Sequence, residues 1–197
     1  MNPTKTSTTV IRMYGASQTE PLVDALADVW VDAHPEATDE LRQEEDSPVG
    51  AFRRQIAGHF RHSGFSLSAA YNADTLVGFA YGFPCSPEYW YGAELLPRIN
   101  AKAKEGRLMG LCELAVRPGW QGRGIGTQLH EQLIRAIAPD WSSLLVRPDN
   151  PRGRALYTRL GYAYAGEYRN TPGGPTYDLL LLSVTGLPDK SGQASND

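Results

Sequence analysis

VRPGWQGRGIGTQL, Val116 to Leu129, carries glycine at alternate positions, Gly122, Gly124 and Gly126, straight after the apolar run LCELAV (Leu111 to Val116). Glycine in a helix interior costs roughly 1 kcal/mol against alanine, so three at a helix start need a reason. A strand, a glycine turn and a helix N-terminus form a site for phosphate. The free N–H groups of the first turn and the positive end of the helix dipole both face the ligand, and glycine lets the backbone come close without a Cβ in the way. Two familiar phosphate loops do not fit. A GxGxxG fingerprint from Gly122 meets Thr127 where glycine is required, and a GxxxxGK loop from Gly119 meets Ile125 where lysine is required.

Outward from this turn, Leu129, Leu133 and Ile137 mark a helix that ends at Pro139, and Ser143 to Val146 reads as a short strand. Two strands joined by a helix should be parallel neighbours with a right-handed crossover. TTVIRMY (Thr8 to Tyr14) reads as a first strand. A helix is expected from a Thr19 cap, with Leu22, Leu26, Val29, Trp30 and Ala33 as its apolar stripe. Ser47 and Pro48 open a second helix carrying Val49, Phe52, Ile56 and Phe60, which Gly64 closes. FSLSAAY and LVGFAYGF form a hairpin around NADT. Pro84 to Gly106, with the triplet Tyr89, Trp90, Tyr91, is expected to hold a short helix broken near Pro97. PRGRALYTRL (Pro151 to Leu160) is a helix closed by Gly161, and YAYAGEYR and TYDLLLLS are strands joined by NTPGGP. The order β α α β β β α β α β β predicts one α/β domain over 8–183, with a mixed, mostly antiparallel sheet of about seven strands and about four helices. Residues 1–7 and the tail 184–197 are polar and are expected to be disordered.

Composition excludes several classes. In 197 residues there are two cysteines, Cys85 and Cys112, and four scattered histidines, so neither a disulfide framework nor a metal site is expected. No apolar run reaches membrane-spanning length and no signal core opens the chain, so a cytoplasmic protein without a membrane partner is expected. Residues 1–60 hold ten acidic and five basic side chains, whereas 101–160 hold five acidic and ten basic ones, eight of them arginine. That asymmetry suits an anionic ligand on the second half, or simply solvated charge. Nucleic acid is not expected, because no basic run carries interleaved aromatics.

The spacing Gln121-x-x-Gly124-x-Gly126 resembles the Q/R-x-x-G-x-G/A turn of the GNAT superfamily, the acyl-CoA-dependent N-acyltransferases. ELAVRPGWQGRGIG resembles that family's strand-to-helix segment. Downstream, Asn150, Leu156, Tyr157, Gly161 and Tyr162 fit its N-x6-Y pattern and its L-Y-x-x-x-G-F/Y close, and the element order is also the family's. Gly153 departs from the pattern, since the family has alanine three residues after the asparagine. The resemblance implies that N–H groups over Gln121, Gly122, Arg123, Gly124, Ile125, Gly126 and Thr127 hold the pyrophosphate of acetyl-CoA. It further implies that Leu114, Ala115 and Val116 pair with the pantetheine arm, and that Asn150 borders the cofactor. Arginines 117, 123, 147, 152 and 154 are candidates for the adenosine phosphates or are solvated surface groups.

An alkyl ammonium must lose a proton before it attacks a thioester, so transfer needs a base, oxyanion donors and an acid for the leaving thiolate. The resemblance makes Tyr157 the candidate acid, against a bracing core tyrosine, and the N–H near Leu114 the donor. Glu113, the one charged residue in GLCELAV, is the candidate base, because desolvation raises a carboxylate's pKa; a structural glutamate beside a water chain is the rival. Strict alternation groups Glu113 with Leu111 and Ala115. His59 reads as a cleft-wall or core histidine and Cys112 as a small buried hydrophobe. Asp32 to Asp46 holds seven carboxylates and one arginine, which suits attraction of a cationic amine or a solvated loop. The aromatic triplet suits the wall of an acceptor pocket, an ordinary packing cluster or a homodimer contact. Acetyl transfer to a small primary amine is the expected activity. A protein lysine or N-terminal acetyltransferase, and a non-catalytic acyl-CoA sensor, are the alternatives.

Overall fold

The computed structural model describes residues 9–35, 47–169 and 173–184. The expectations for residues 1–7, for most of the carboxylate-rich segment, for Asn170 to Pro172 and for the tail beyond Val184 lie outside these residues.

Seven strands form one sheet: β1 (Thr9–Tyr14), β2 (Ser66–Asn72), β3 (Thr75–Cys85), β4 (Leu108–Val116), β5 (Trp141–Val146), β6 (Ala163–Arg169) and β7 (Thr176–Ser183). Their spatial order is β1-β2-β3-β4-β5-β7-β6, and every pair is antiparallel except β4 with β5. The helical segments are α1 (Ala16–Thr19), α2 (Val23–Ala33), α3 (Pro48–His59), α4 (Pro87–Leu95), α5 (Ala101–Glu105), α6 (Ile125–Ile137) and α7 (Pro151–Arg159), more than the four expected.

The additional helices have local causes. Gly15, not Thr19, caps the first helix: the Gly15 N–H donates to Gln18 Oε1 at 3.0 Å, and the Thr19 hydroxyl donates back to the Gly15 carbonyl at 2.8 Å. Ser86 caps α4 by accepting from the Tyr89 N–H. Gly92, at φ +61°, breaks that helix, while Pro97 sits in the 3-10 turn Leu96–Arg98 beyond it. At α3 the expected cap is present, Ser47 accepting from the Gly50 N–H at 3.0 Å with Pro48 as first residue.

The sheet is packed on both faces. On one, α2 and α3 bring Leu26, Val29, Phe52 and Ile56 against Leu67, Phe79, Tyr81, Phe83 and Ala115. Along that face α4 and α5 cover Leu108, Leu179 and Leu181. On the other face α6 and α7 bring Ile125, Leu129, Leu133 and Tyr157 against Val77, Ala80, Leu111, Val116 and Leu180. Burying each large apolar side chain contributes about 1.5–3 kcal/mol relative to exposure. Leu111 and Ala115 share sequence parity yet lie on opposite faces. A β-bulge is the reason: Tyr81 pairs with Glu113 and Gly82 with Leu111, so Cys112 is the extra residue. Strict alternation therefore fails on β4, and Glu113 follows Ala115 to the α2 face.

Candidate active site

The functional geometry starts where β4 and β5 part. They pair only over Leu108–Gly110 and Trp141–Ser143. From Leu111 to Val116 the β5-facing edge of β4 has no strand partner among the described residues, so a row of backbone donors and acceptors borders a widening gap. Leu114, Ala115 and Val116 lie on this stretch.

The glycine turn lies at the wide end of the gap. Gly122 (φ +75°) and Gly124 (φ +78°) are left-handed, and Gly124 is the N-cap residue of α6. A Cβ added to Gly122 meets nothing within 4 Å, and one on Gly124 meets only Gln128 Nε2 at 3.9 Å. The backbone here is open on its outer side and carries the unbonded N–H groups of a helix start. Gly126 has a different reason to be glycine. A Cβ there would come within 3.1 Å of Leu156 and 3.5 Å of Leu114, so it lets α6 pack on α7 and β4. Gln121 braces the turn: its Nε2 donates to the Val116 carbonyl at 2.9 Å and its Oε1 accepts from Arg152 at 2.9 Å. Thr127 and Ile125 open α6, Ile125 buried in the core. This arrangement fits a pyrophosphate continuous with an extended arm.

Most of the arginines singled out in the sequence have partners inside the protein. Arg117 donates to Asp32 and to the Leu76 carbonyl, Arg147 to Asp149, and Arg154 to Asp178. Arg123 lies over the Trp120 ring at 4.8 Å. Asn150 caps α7, its Oδ1 accepting from the Gly153 N–H at 2.9 Å. A Cβ on Gly153 would stand 2.8 Å from that side-chain amide, so the departure at position 153 follows from how tightly the cap sits.

Glu113 and Tyr157 approach the gap from opposite faces. Trp30 Nε1 donates to Glu113 Oε2 at 3.1 Å, and Trp30 is itself stacked between His34 at 4.2 Å and Phe52 at 5.4 Å. Burial raises the Glu113 pKa above the ordinary carboxylate value; the nearby His34, the Trp30 N–H and the Leu114 N–H oppose that rise. Tyr157 is buried on the α7 side, its ring edge-on to Tyr162 at 5.6 Å. Its phenol is pushed up, first by burial and then by the Glu113 carboxylate, so it stays protonated at neutral pH.

Beside Glu113, residues not grouped in the sequence come together. His59 Nδ1 meets the Tyr81 hydroxyl at 3.2 Å, and burial with His62 nearby lowers the His59 pKa to about 4. His62 stacks flat on Phe83 at 3.9 Å, and its Nε2 meets the Tyr89 hydroxyl at 3.2 Å. Trp90 is seated on the backbone of Gly110, where a Cβ would fall 2.2 Å from the indole. With Gln55, His59, Leu111, Cys112 and Leu145 it lines a cavity of about 130 Å³. The triplet alone signalled a wall; its partners on α3 and β5 follow from tertiary packing. A larger cavity of about 400 Å³ lies along β6 and the turn before α5, between Arg98, Trp141 and Tyr164, away from Glu113 and Tyr157. Among the described residues there is no cluster of histidine, cysteine or carboxylate able to hold a metal ion, and no helix long and apolar enough to cross a membrane.

Residues 22–162 match the acetyltransferase (GNAT) family. The N-alpha-acetyltransferase RimI of Mycobacterium tuberculosis is 30% identical over 135 residues, 67% of this chain and 73% of the relative. Among solved structures, Arabidopsis thaliana NAA60 in complex with acetyl-CoA has a TM-score of 0.61 at 16% identity, covering 90% of this chain and all of that one (100%). Aminoglycoside 6'-acetyltransferase type Ii has a TM-score of 0.60 at 19% identity, covering 91% and 99%. The parted strands, the left-handed glycines at a helix start and the matched sequence agree: this chain belongs to the GNAT family and is an acetyl-CoA-dependent N-acetyltransferase.

Proposed function

We propose that the enzyme transfers acetyl directly to a small-molecule primary amine, with Glu113 as base and Tyr157 as acid. The observation that carries this reading is the placement of a desolvated carboxylate and a protonated phenol on opposite faces of one gap. Gly122, Gly124 and the N–H groups through Thr127 bind the pyrophosphate, with Gln121 bracing the turn, Arg123 beside it and Asn150 bordering it. Leu114, Ala115 and Val116 orient the arm along β4. Glu113 takes a proton from the ammonium, and the freed nitrogen attacks the thioester carbonyl carbon. The Leu114 N–H, which meets the Glu113 carboxylate in the resting site, is released as Glu113 takes up the proton and stabilises the oxyanion next to the Cys112 bulge. As the C–S bond breaks, Tyr157 gives its proton to the leaving sulfur, and the second proton of the attacking nitrogen passes through water to the Tyr157 phenolate, leaving a neutral amide. Holding both reactants in line supplies much of the rate.

A small acceptor is favoured by the wall that α4 builds along α3, with Tyr89 on His62 and Trp90 on Gly110. That wall narrows the α3 side of the site above the Trp90 cavity, which suits a small acceptor better than a protein segment. A second reading, transfer to a protein N-terminus, is supported by the 30% identity to RimI. Thiol release from acetyl-CoA across amines, polyamines, aminoglycosides and peptides with free N-termini separates the two. Turnover of a small amine supports the first, and turnover confined to peptides overturns it in favour of the second.

A further inference from the structure

The 130 Å³ cavity beneath Trp90 takes no part in holding the coenzyme or moving protons, and its position gives it a task. The glycine turn lies past the C-terminal end of β4. An arm anchored there runs back along β4 from Val116 towards Leu111, and its thiol end arrives where β4 and β5 come together. This step rests on the coenzyme placement given under Proposed function. Directly beyond lie Leu111 and Cys112 of β4 and the part-exposed Leu145 of β5, with His59, Gln55 and Trp90 on the far side.

The chemistry of the lining selects what can enter. Leu111 and Leu145 are apolar, the Cys112 thiol is pushed up by burial and stays neutral, and His59, lowered to about 4, is uncharged at neutral pH. A cationic amine finds no counter-charge here. The carboxylate next along β4, Glu113, is bonded to Trp30 on the α2 side. A charged acyl group would be desolvated with only neutral donors to meet it, the Gln55 amide and the unpartnered Trp90 indole N–H, and no counter-charge, whereas an alkyl chain would gain from burial. At roughly 30 Å³ for each group of water or methylene size, the cavity has room for about four.

We propose that this cavity receives the acyl chain, so that the enzyme uses short uncharged acyl groups such as propionyl and butyryl as well as acetyl, with Trp90 as the end wall that sets the limit. Trp90 suits that role because its indole rests on the Gly110 backbone, at the last paired position of β4 and β5, and has nothing there to yield.

Titration of the whole protein with CoA and with its acetyl, propionyl, butyryl, hexanoyl and succinyl thioesters tests this without an acceptor. A fully buried methylene strengthens binding about fourfold. Butyryl-CoA is therefore expected to bind about five- to fifteenfold more tightly than acetyl-CoA. Hexanoyl-CoA should fall back below butyryl-CoA, and succinyl-CoA should bind about tenfold or more below it. Trp90→Ala should raise the hexanoyl-to-acetyl affinity ratio about fivefold or more. Affinities equal within about twofold across the wild-type series would overturn the proposal whether or not the variant folds. Gly124→Val separates the two levels of inference. If it abolishes CoA binding while the wild-type series is flat, only the acyl pocket fails; if it leaves CoA affinity intact, the coenzyme placement fails, and the pocket assignment with it.

Discussion

Glu113 and His130 are both ionisable side chains packed against the central sheet, one on each face, and they are secured in different ways. His130 is 2% exposed, under α6. Its Nε2 meets the Tyr162 hydroxyl at 3.0 Å, and that hydroxyl meets Ser142 Oγ at 2.6 Å, so this chain of bonds ends inside the protein, while Nδ1 is buried with no partner among the described residues. Nearby, the Ser68 hydroxyl donates to the Leu129 carbonyl at 2.9 Å, tying α6 to β2. Burial alone lowers the His130 pKa to about 4. Glu113 faces α2 beside a gap in the sheet, with an indole N–H on one oxygen and His34 nearby. Polar groups that close on one another build a core; a carboxylate steadied at an opening is left able to exchange protons.

The sharpest way to break this contrast is Glu113→Gln. The amide can still accept from Trp30, so the fold should be kept. kcat/KM at neutral pH should fall about 10²–10⁴-fold, with the deficit shrinking as pH rises towards the amine's own pKa. Wild-type activity at pH 7 would remove Glu113 from the chemistry. Tyr157→Phe should lower kcat by about 10²-fold with little change in KM for acetyl-CoA. An unchanged kcat would make the tyrosine a packing residue only.

On the other face the expected effect is on stability. The folded-state pKa of His130, about 4, lies below the ordinary 6.5. The unfolded chain therefore binds the extra proton first as the pH drops. Stability is full above about 6.5 and is lost progressively down to about 4, by on the order of 3 kcal/mol from this residue. His59 adds a loss of the same sign over the same window. Denaturant melts across this range should show His130→Gln with a shallower slope than the wild type and with acetyl transfer unaltered; an unchanged slope would refute the assignment. The smallest effect sharpens the Glu113 side. Trp30→Phe removes the N–H that favours the charged carboxylate, so the acid limb of the kcat/KM profile should move about one unit to higher pH. An unmoved limb would mean that Trp30 is only packing.

The glycine turn, the strand before it and the α3 cap were readable because each rests on local chemistry: left-handed backbone at Gly122 and Gly124, and a Ser-Pro helix start at Ser47. The face taken by Glu113 was not, because it is set by a bulge at Cys112 that depends on register with β3. Gly126 looks like its neighbours in sequence, yet it is small for the sake of Leu156 and Leu114. Among the arginines of the basic half, Arg117 and Arg154 pair with Asp32 and Asp178 at a long remove in sequence, contacts that no local pattern announces, while Arg147 pairs with its near neighbour Asp149 at the surface. The true start of the first helix was hidden because Gly15 has no side chain to advertise a cap, and its partner Gln18 is an unremarkable residue. The cavity under Trp90 draws on four elements and has no local signature at all.

The short pairing of β4 with β5 has a mechanical consequence. Four strands on one side and three on the other are joined across the sheet by Leu108–Gly110 against Trp141–Ser143. A clasp sits at the closed end, where the Arg107 backbone N–H and guanidinium both donate to Asp140, and the Asp140 and Trp141 N–H groups donate to the Arg107 carbonyl. The two half-sheets are thus fastened to each other at this end, and α6 packs on α7 and β4 through Gly126 beside the open end. A coenzyme arm lying in that slot would border the free edge of β4, so its entry and exit would leave the ladders within each half-sheet unbroken.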